Sequence, residues 1–172
     1  MLTNEMLVRL NEQIALEFES SNLYLQMSAW CDHHNYDNCA IFLREHALEE
    51  RGHMEKLYNY VLETGGYPKL CMIPAPNYEY SSLKDVFEKT LAHEQLITKK
   101  INDLVDYSLT SKDFSTFSFL QWYVKEQHEE EKLFNTIVGK FALIGDDEKA
   151  LYYIDKEMQN MKVTTELDNE GI

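Results

Sequence analysis

Gly65-Gly-Tyr-Pro-Lys-Leu-Cys-Met-Ile-Pro-Ala-Pro76 holds all three prolines and two of the six glycines of this chain. Proline and glycine interrupt helices, so the stretch divides the sequence into two halves. The connection as a whole, residues 67–81, is long for a loop between packed helices. Extended, it would span about 50 Å, whereas a helix of about 27 residues measures roughly 40 Å. It can therefore run the length of a helical bundle and leave the helices on either side of it parallel.

Apolar residues recur at helical spacing on both sides of this connection. Asp32-His-His-Asn35 separates two segments of the first half, and Ser82-Leu-Lys-Asp85 opens the second half in the form of a helix-capping box. The predicted helices cover about 5–34, 37–64, 82–109, 113–143 and, after Gly145, a short amphipathic segment at 147–158. The sequence therefore predicts an all-α fold, a four-helix bundle with one long crossover between helices 2 and 3 and a short fifth C-terminal helix. We expect one domain over 1–161 and a flexible polar tail at 162–172; a disordered linker between two separate hairpins is the alternative.

The composition is that of a folded, acidic protein. Its 172 residues fit one domain, and 30 acidic against 16 basic residues give a formal net charge of −14. Such a charge attracts cations and disfavours nucleic acid or anionic membrane as partners. No stretch has the apolar length of a membrane span or a secretory signal, and Cys31, Cys39 and Cys71 fit neither a disulfide framework nor a thiol metal site. We therefore expect a cytoplasmic protein.

Each long helix carries a carboxylate near its midpoint, on the face that its apolar residues turn inward. On helix 1, Glu17 lies two turns from Tyr24, and on helix 2, Glu50 and His53 form Glu-x-x-His, a spacing that aims both side chains at one point. On helix 3, Glu94 interrupts an otherwise mostly apolar face. The sequence therefore predicts a set of carboxylates at one height of the bundle.

Helix 4 gives a less certain phase. Its predicted inward series is Leu120, Val124, Gln127, Glu131, Phe134, Val138 and Phe141. Gln127-x-x-Glu130 lies on or beside this series, and the pattern does not separate Glu130 from Glu131. Several carboxylates that lose water together repel one another and need cations to balance them. Carboxylates with one imidazole suit iron or manganese better than structural zinc or calcium.

Together these residues resemble the ferroxidase signature of the ferritins, and the likeness covers nearly the whole chain. The order of the helices, the crossover, the fifth helix and stretches such as Ser28-Ala-Trp-Cys31 and Phe119-Leu-Gln-Trp-Tyr-Val124 look like those of non-haem bacterial ferritins. The resemblance implies iron storage and detoxification in a 24-subunit homo-oligomeric shell. It also implies a ferroxidase that oxidises Fe²⁺ with O₂ or hydrogen peroxide and deposits a ferric mineral. No haem is expected, because Arg51 stands where bacterioferritins carry a haem-binding methionine.

The resemblance also implies a role for each site residue. Glu50 bridges two irons, Glu17 and His53 complete the first site, and Glu94 and Glu130 complete the second. Gln127 stands where a second Glu-x-x-His would otherwise occur. The second site then has only oxygen ligands, and we expect it to hold oxidised iron loosely and pass it on.

A third iron site is predicted from Glu49, Glu126 and Glu129, with Glu130 shared. Residues 126, 129 and 130 are neighbours on one helical face, and Glu126-Gln-His-Glu-Glu-Glu131 is similar to the segment that supplies the third site of ferritins. A solvated acidic face is the alternative reading of this run. Glu45 and Glu131 are expected to be solvated in this way.

Several residues keep two interpretations. Tyr24 either serves the catalysis, by donating an electron or hydrogen-bonding a bound oxygen species, or is a core tyrosine bonded to a carboxylate. Trp122 is either redox-active or simply packed, and packing is favoured. Surface or supporting roles are expected of the other histidines, His33, His34, His46, His93 and His128. The competing functions are a soluble di-iron oxidase or peroxidase without a shell, and a non-catalytic acidic helical protein.

Overall fold

The computed structural model describes residues 2–145 and 147–161, and within these ranges its regular structure is helical. The helices are α1 (Asn4–His33), α2 (Asp37–Glu63), α3 (Leu83–Thr110), α4 (Phe114–Ile144) and α5 (Glu148–Met158). Every boundary lies within one residue of the predicted one, so the all-α prediction is confirmed. No helix in the described part of the chain has the length and apolarity needed to cross a membrane. The predicted tail at 162–172 lies outside the described residues.

Local hydrogen bonds explain where the helices begin and end. Ser82 Oγ accepts from the backbone N–H of Asp85 at 3.1 Å, and Asp85 Oδ2 accepts from the N–H of Ser81 at 2.9 Å. The first bond satisfies an amide group that the first turn of α3 leaves unpaired, and the second ties the residue before the N-cap to the same turn, so the predicted capping motif is present. Asn35 turns the chain between α1 and α2 with a φ of 63°, and Gly145 follows α4 with a φ of 82°. Asparagine and glycine tolerate this left-handed region better than other residues.

Contacts between the helices fix their directions, because a contact between an early residue of one helix and a late residue of another indicates an antiparallel pair. These contacts are Ser21 with Ala47 and Ser28 with Ala40 for α1 and α2, Ser20 with His93 and Met27 with Thr90 for α1 and α3, and Phe42 with Phe134 and Tyr60 with Thr116 for α2 and α4. Since α2 and α3 are both antiparallel to α1, they are parallel to each other. The predicted crossover is therefore confirmed.

The crossover, residues 64–82, lies against α1. Near its start, the backbone N–H of Lys69 donates to Asn11 Oδ1 at 2.6 Å, and near its end the Tyr80 ring packs edge-on against Trp30 with centroids 5.9 Å apart. Asn11 and Trp30 are separated by about 28 Å along α1 at 1.5 Å per residue. The connection thus travels most of the length of the bundle, as its residue count allows.

Two apolar clusters fill the interior, one toward each end of the bundle. The first includes Tyr24, Met27, Cys31, Phe42, Phe87, Phe134 and Phe141, and the second includes Met6, Leu10, Ile14, Leu57, Ile101 and Leu120. Burial of each large side chain contributes about 1.5–3 kcal/mol. Between the clusters lies a set of buried polar side chains, which we call the polar layer: Glu17, His46, Glu50, His53, Glu94, Glu126, Gln127 and Glu130.

Helix α5 packs across the start of α2. Asp155 Oδ1 accepts from the backbone N–H of Cys39 at 2.9 Å, and Asp155 Oδ2 accepts from Asn38 Nδ2 at 2.8 Å. The N-cap residue of α2 makes no side-chain capping bond, so Asp155 supplies the cap from another helix. Ile154 and Met158 are buried in the first apolar cluster, and α5 is therefore an integral part of the bundle.

The inward face of α4 differs from the predicted series. Val124 is 36% exposed and Glu131 is half-buried, whereas Tyr123, Glu130 and Ile137 are buried. The predicted series was wrong at these positions because Leu120, Gln127, Phe134 and Phe141 recur every seven residues and fit either an intervening step of three or one of four. The structure takes the step of three, which turns Glu130 inward.

Candidate metal centre

The middle of the bundle holds an unusual density of buried carboxylates. Glu17, Glu50, Glu94, Glu126 and Glu130 come from all four long helices, and each is at most 5% exposed. No Lys or Arg among the described residues is buried beside them. Burying carboxylates together costs several kcal/mol for each charge that lacks a partner. The arrangement therefore requires protons or cations.

The first candidate group joins α1 to α2. Glu17, Glu50 and His53 each offer a ligand atom within 4.8 Å of the others. His53 Nδ1 lies 3.3 Å from Glu50 Oε2 and 3.9 Å from Glu17 Oε2, and Gln13 Nε2 donates to Glu17 Oε1. The structure thus brings together the three residues predicted for the first iron site.

Two further groups extend the first toward α4. His46, Glu49 and Glu130 form one, and Glu49, His53 and Glu126 form the other, again with ligand atoms within 4.8 Å. His46 Nδ1 lies 3.2 Å from Glu49 Oε2, and His46 Nε2 lies 3.8 Å from Glu130 Oε2. Since His53 and Glu49 each belong to two groups, the three groups form one continuous row.

Glu94 lies beside this row, and each of its carboxylate oxygens accepts a hydrogen bond. Tyr24 OH donates to its Oε1, and Gln127 Nε2 donates to its Oε2 at 2.9 Å. Glu94 belongs to none of the three groups. Two neutral donors therefore orient the carboxylate that was predicted to complete the second iron site.

Burial shifts the pKa values of several groups in the polar layer and of Glu49 beside it. It raises the pKa of Glu17 to about 7 and that of Glu49 to about 8, and it raises the pKa values of Glu50, Glu94 and Glu130. Burial also lowers the pKa of His53 to about 3 and that of His46 to about 4. Glu17 and Glu49 thus hold protons near neutral pH until a cation replaces them, while both imidazoles stay neutral and can act as ligands.

Several buried polar atoms have no hydrogen-bond partner. They include Glu17 Oε2, Glu130 Oε2, His46 Nε2 and Gln127 Oε1. Each such atom costs about 1–3 kcal/mol if nothing satisfies it. These atoms fit a cation that accepts lone pairs, and carboxylate oxygen with imidazole nitrogen suits divalent first-row metals such as Fe²⁺.

Two further residues named from the sequence belong to none of the three groups. The side chain of Glu129 is 39% exposed and lies 3.6 Å from Lys125 Nζ, and it belongs to none of the three groups. Its part in a third site stays a prediction. Trp122 stacks on Tyr123 with centroids 4.4 Å apart, and each ring lies 5.5 Å from the His53 ring. Contact with the metal centre leaves both interpretations of Trp122 open.

The other histidines divide into two classes. His33, His34 and His128 are exposed, and the half-buried His93 pairs with Ser20 Oγ at 2.8 Å. His46 differs, because it is 2% exposed and lies within the row. The sequence contained a signal for it: His46 precedes Glu49 by three residues and Glu50 by four, the spacing that brings side chains together on a helix.

Comparison with known proteins matches this geometry to a family. A model described as the ferritin-like domain matches residues 7–144. The chain belongs to the ferritin family. As a ferritin-family member, it is 52% identical over 161 residues to a bacterial non-heme ferritin of Escherichia coli O6:H1, covering 94% of this chain and 98% of the relative. It is 49% identical over 164 residues to the bacterial non-heme ferritin of Campylobacter jejuni, covering 95% and 98%.

Solved ferritin structures agree with the fold. The open pore ferritin of the archaeon Archaeoglobus fulgidus has a TM-score of 0.91 and 38% identity, covering 94% of this chain and 100% of the archaeal one. Chlorobium tepidum ferritin has a TM-score of 0.84 and 44% identity, covering 95% and 100%. The chain is thus similar to these ferritins from its first helix to its last.

Proposed function

We propose that this ferritin-family chain stores and detoxifies iron. Fe²⁺ enters the polar layer as substrate, is oxidised to Fe³⁺ by O₂ or hydrogen peroxide, and is deposited as a ferric mineral inside a 24-subunit shell. The observation that carries the proposal is the row of three candidate ligand groups. The row begins with Glu17, Glu50 and His53, and neighbouring groups share His53 or Glu49. A row of adjoining cation positions suits a reaction that takes electrons from two metal ions at once.

The side chains divide the work in this proposal. Glu50 bridges two ferrous ions, Glu17 and His53 complete the first position, and Glu94 and Glu130 complete the second. Carboxylate ligands stabilise Fe³⁺ relative to Fe²⁺ and so favour electron transfer to the oxidant. The protons that buried Glu17 and Glu49 hold near neutral pH leave when iron binds.

Further side chains act beside the two irons. Tyr24 and Gln127 orient Glu94 through the hydrogen bonds described above. Glu49, Glu126 and Glu129 form the next iron position, with Glu130 shared. Iron leaving the second position would pass through it toward the mineral.

The assembled shell is the second part of the proposal. Its support is likeness over nearly the full length of bacterial non-heme ferritins, together with an α5 that is packed into the bundle. We also place the protein in the reducing cytoplasm, which suits its three free cysteines. A chain that worked as a di-iron oxidase without a shell would have the same centre in a small particle.

The test mixes anaerobic apoprotein with a few Fe²⁺ per chain, admits air, and follows Fe³⁺ absorbance and light-scattering mass together. Glu50→Ala and His53→Ala should each slow oxidation at least tenfold, and the exposed Glu45→Ala should match the wild type. Fast oxidation in a large particle supports the proposal. Equal rates in all variants would contradict the site, and fast oxidation in a small particle would identify the soluble di-iron enzyme instead.

A further inference from the structure

His46 has a geometry that its surroundings in the protein do not explain. It is 2% exposed, and its Nδ1 lies 3.2 Å from Glu49 Oε2. Its Nε2 faces Glu130 Oε2 across 3.8 Å, which is too far for a hydrogen bond. Both of these facing atoms are buried without a hydrogen-bond partner.

When a cation displaces the proton that Glu49 holds near neutral pH, the contact between Glu49 Oε2 and His46 Nδ1 selects one imidazole tautomer. A carboxylate oxygen beside Nδ1 favours the imidazole with its proton on Nδ1, which leaves a lone pair on Nε2. Nε2, with its lone pair, then lies 3.8 Å from Glu130 Oε2, which carries lone pairs of its own. First-row divalent cations bind such atoms at about 2.0–2.2 Å, so one ion fits between two atoms that are 3.8 Å apart.

We propose that His46 Nε2 and Glu130 Oε2 share a divalent first-row cation, and that Glu49 orients the imidazole by accepting its Nδ1–H. Metal-bound histidines commonly donate their second N–H to a carboxylate in this way. With His46 as a ligand, the cation at Glu130 has a nitrogen donor. The resemblance to ferritins implies only oxygen ligands at that position. The inference rests on the proposed function only in that both need cations in the polar layer.

A purely structural histidine is the competing explanation. The imidazole packs edge-on against Phe42 and Phe134, with ring centroids 4.5 and 5.0 Å away. These rings would hold His46 in place with or without a metal. A structural role therefore predicts lower stability for a His46 variant but no change in the ligands of a bound cation.

The first experiment uses crystals of the wild-type protein soaked in Co²⁺, with anomalous scattering to locate the ions. The proposal expects an ion about 2.1 Å from His46 Nε2 and from a Glu130 oxygen. Occupied Glu17–Glu50–His53 positions with no ion near Nε2 would overturn the inference and leave the proposed function standing. No Co²⁺ anywhere in the polar layer would count against both.

The second experiment detects the nitrogen directly, by pulsed electron paramagnetic resonance of bound vanadyl ion. In a His53→Gln background the remaining ¹⁴N coupling comes from His46, so adding His46→Gln should abolish it. Adding His93→Gln instead, which removes a histidine bonded to Ser20 outside the row, should preserve it. A ¹⁴N signal that is unchanged by His46→Gln, or absent already in His53→Gln, would refute His46 as a ligand.

Discussion

Glu94 receives a hydrogen bond on each carboxylate oxygen, from Tyr24 OH and from Gln127 Nε2. Both donors are neutral, so they orient the carboxylate without cancelling the charge that a cation would bind. Burial, with the negative charge of Glu94 next, raises the pKa of Tyr24 well above its ordinary value. Tyr24 therefore remains a protonated donor at physiological pH.

Replacement of Tyr24 by Phe tests this bond at nearly constant volume. Glu94 loses one donor inside the bundle, so the free energy of unfolding of the apoprotein should fall by about 1–3 kcal/mol in urea denaturation. Fe²⁺ oxidation should slow as well, because the carboxylate is no longer held. Tyr60→Phe, which removes a bond to Thr116 outside the polar layer, is the control and should lose stability without slowing oxidation. Unchanged oxidation in Tyr24→Phe would assign the tyrosine to packing alone.

Metal binding should release protons near neutral pH. Burial raises the pKa of Glu17 to about 7 and of Glu49 to about 8, so both carboxyls are largely protonated at pH 6.5 and must ionise to bind a cation. Co²⁺ affinity should therefore fall about tenfold per pH unit below 7 for each proton displaced. Titration calorimetry of Co²⁺ binding, in buffers with different heats of ionisation, measures the number of protons released.

The number of released protons is compared between the wild type, Glu49→Gln and Glu45→Gln. Glu49→Gln removes one of the released protons, and Glu45→Gln changes an exposed carboxylate outside the polar layer. Absent proton release would show that the buried carboxyls are already ionised without metal, and equal release in all three proteins would show that Glu49 contributes none of the protons.

At the scale of helices, the link between α5 and α2 runs through one carboxylate. Asp155 caps the start of α2 while Ile154 and Met158 fill the first apolar cluster. The fifth helix is therefore coupled to the helix that carries Glu50 and His53, although it contributes no residue to the polar layer.

Asp155→Ala should lower the free energy of unfolding by about 1–2 kcal/mol, because the first turn of α2 loses its cap. Asp155→Asn should cost less, since its amide oxygen still accepts from Cys39 while its nitrogen cannot accept from Asn38. Thermal unfolding and protease sensitivity of α5 measure both effects. Glu157→Gln, which breaks only a surface ion pair with Lys140, should change little; an equal loss in that variant would argue against a special role for the cap.

The sequence predicted the helices well because their signals are local. Ser82 and Asp85 mark a helix start within four residues, and the crossover could be recognised by its length alone. The buried face of α4 could not be predicted, because Leu120, Gln127, Phe134 and Phe141 recur every seven residues and fit two alternative helical phases. The position of His46 depends on Glu130, a residue 84 positions away on another helix, and the pattern of one helix does not contain that contact.

For the molecule as a whole, stability and metal binding oppose each other. The two apolar clusters stabilise the bundle, while the polar layer between them holds carboxylates whose charge is costly to bury. Because burial raises the pKa of Glu17 from 4.5 to about 7 and that of Glu49 from 4.5 to about 8, this cost is small below pH 4.5, grows as pH rises from there toward the folded-state values, and is complete above them. Bound cations should therefore stabilise the protein most above neutrality.

Glu50→Gln should make the metal-free protein more stable, by about 1–3 kcal/mol at pH 8, because a neutral amide of the same shape replaces a buried carboxylate among others. The same variant should gain less stability from Co²⁺ than the wild type, because it lacks one ligand of the group Glu17, Glu50 and His53. Denaturation with and without the metal, at one protein concentration, measures both effects. The exposed Glu45→Gln should behave as the wild type in each condition. A Glu50→Gln apoprotein less stable than the wild type would mean that the carboxylate is already compensated.

The crossover also separates two helical hairpins that are synthesised one after the other. Because α1 and α2 form a hairpin that ends at Glu63, the group of Glu17, Glu50 and His53 belongs entirely to a segment that is synthesised before α3 and α4. The groups that contain Glu126 and Glu130 exist only after α4 has docked. Contacts within a hairpin form faster than contacts across a long connection. The group of Glu17, Glu50 and His53 therefore depends on contacts within one hairpin, whereas the other two groups depend on the docking of the second hairpin.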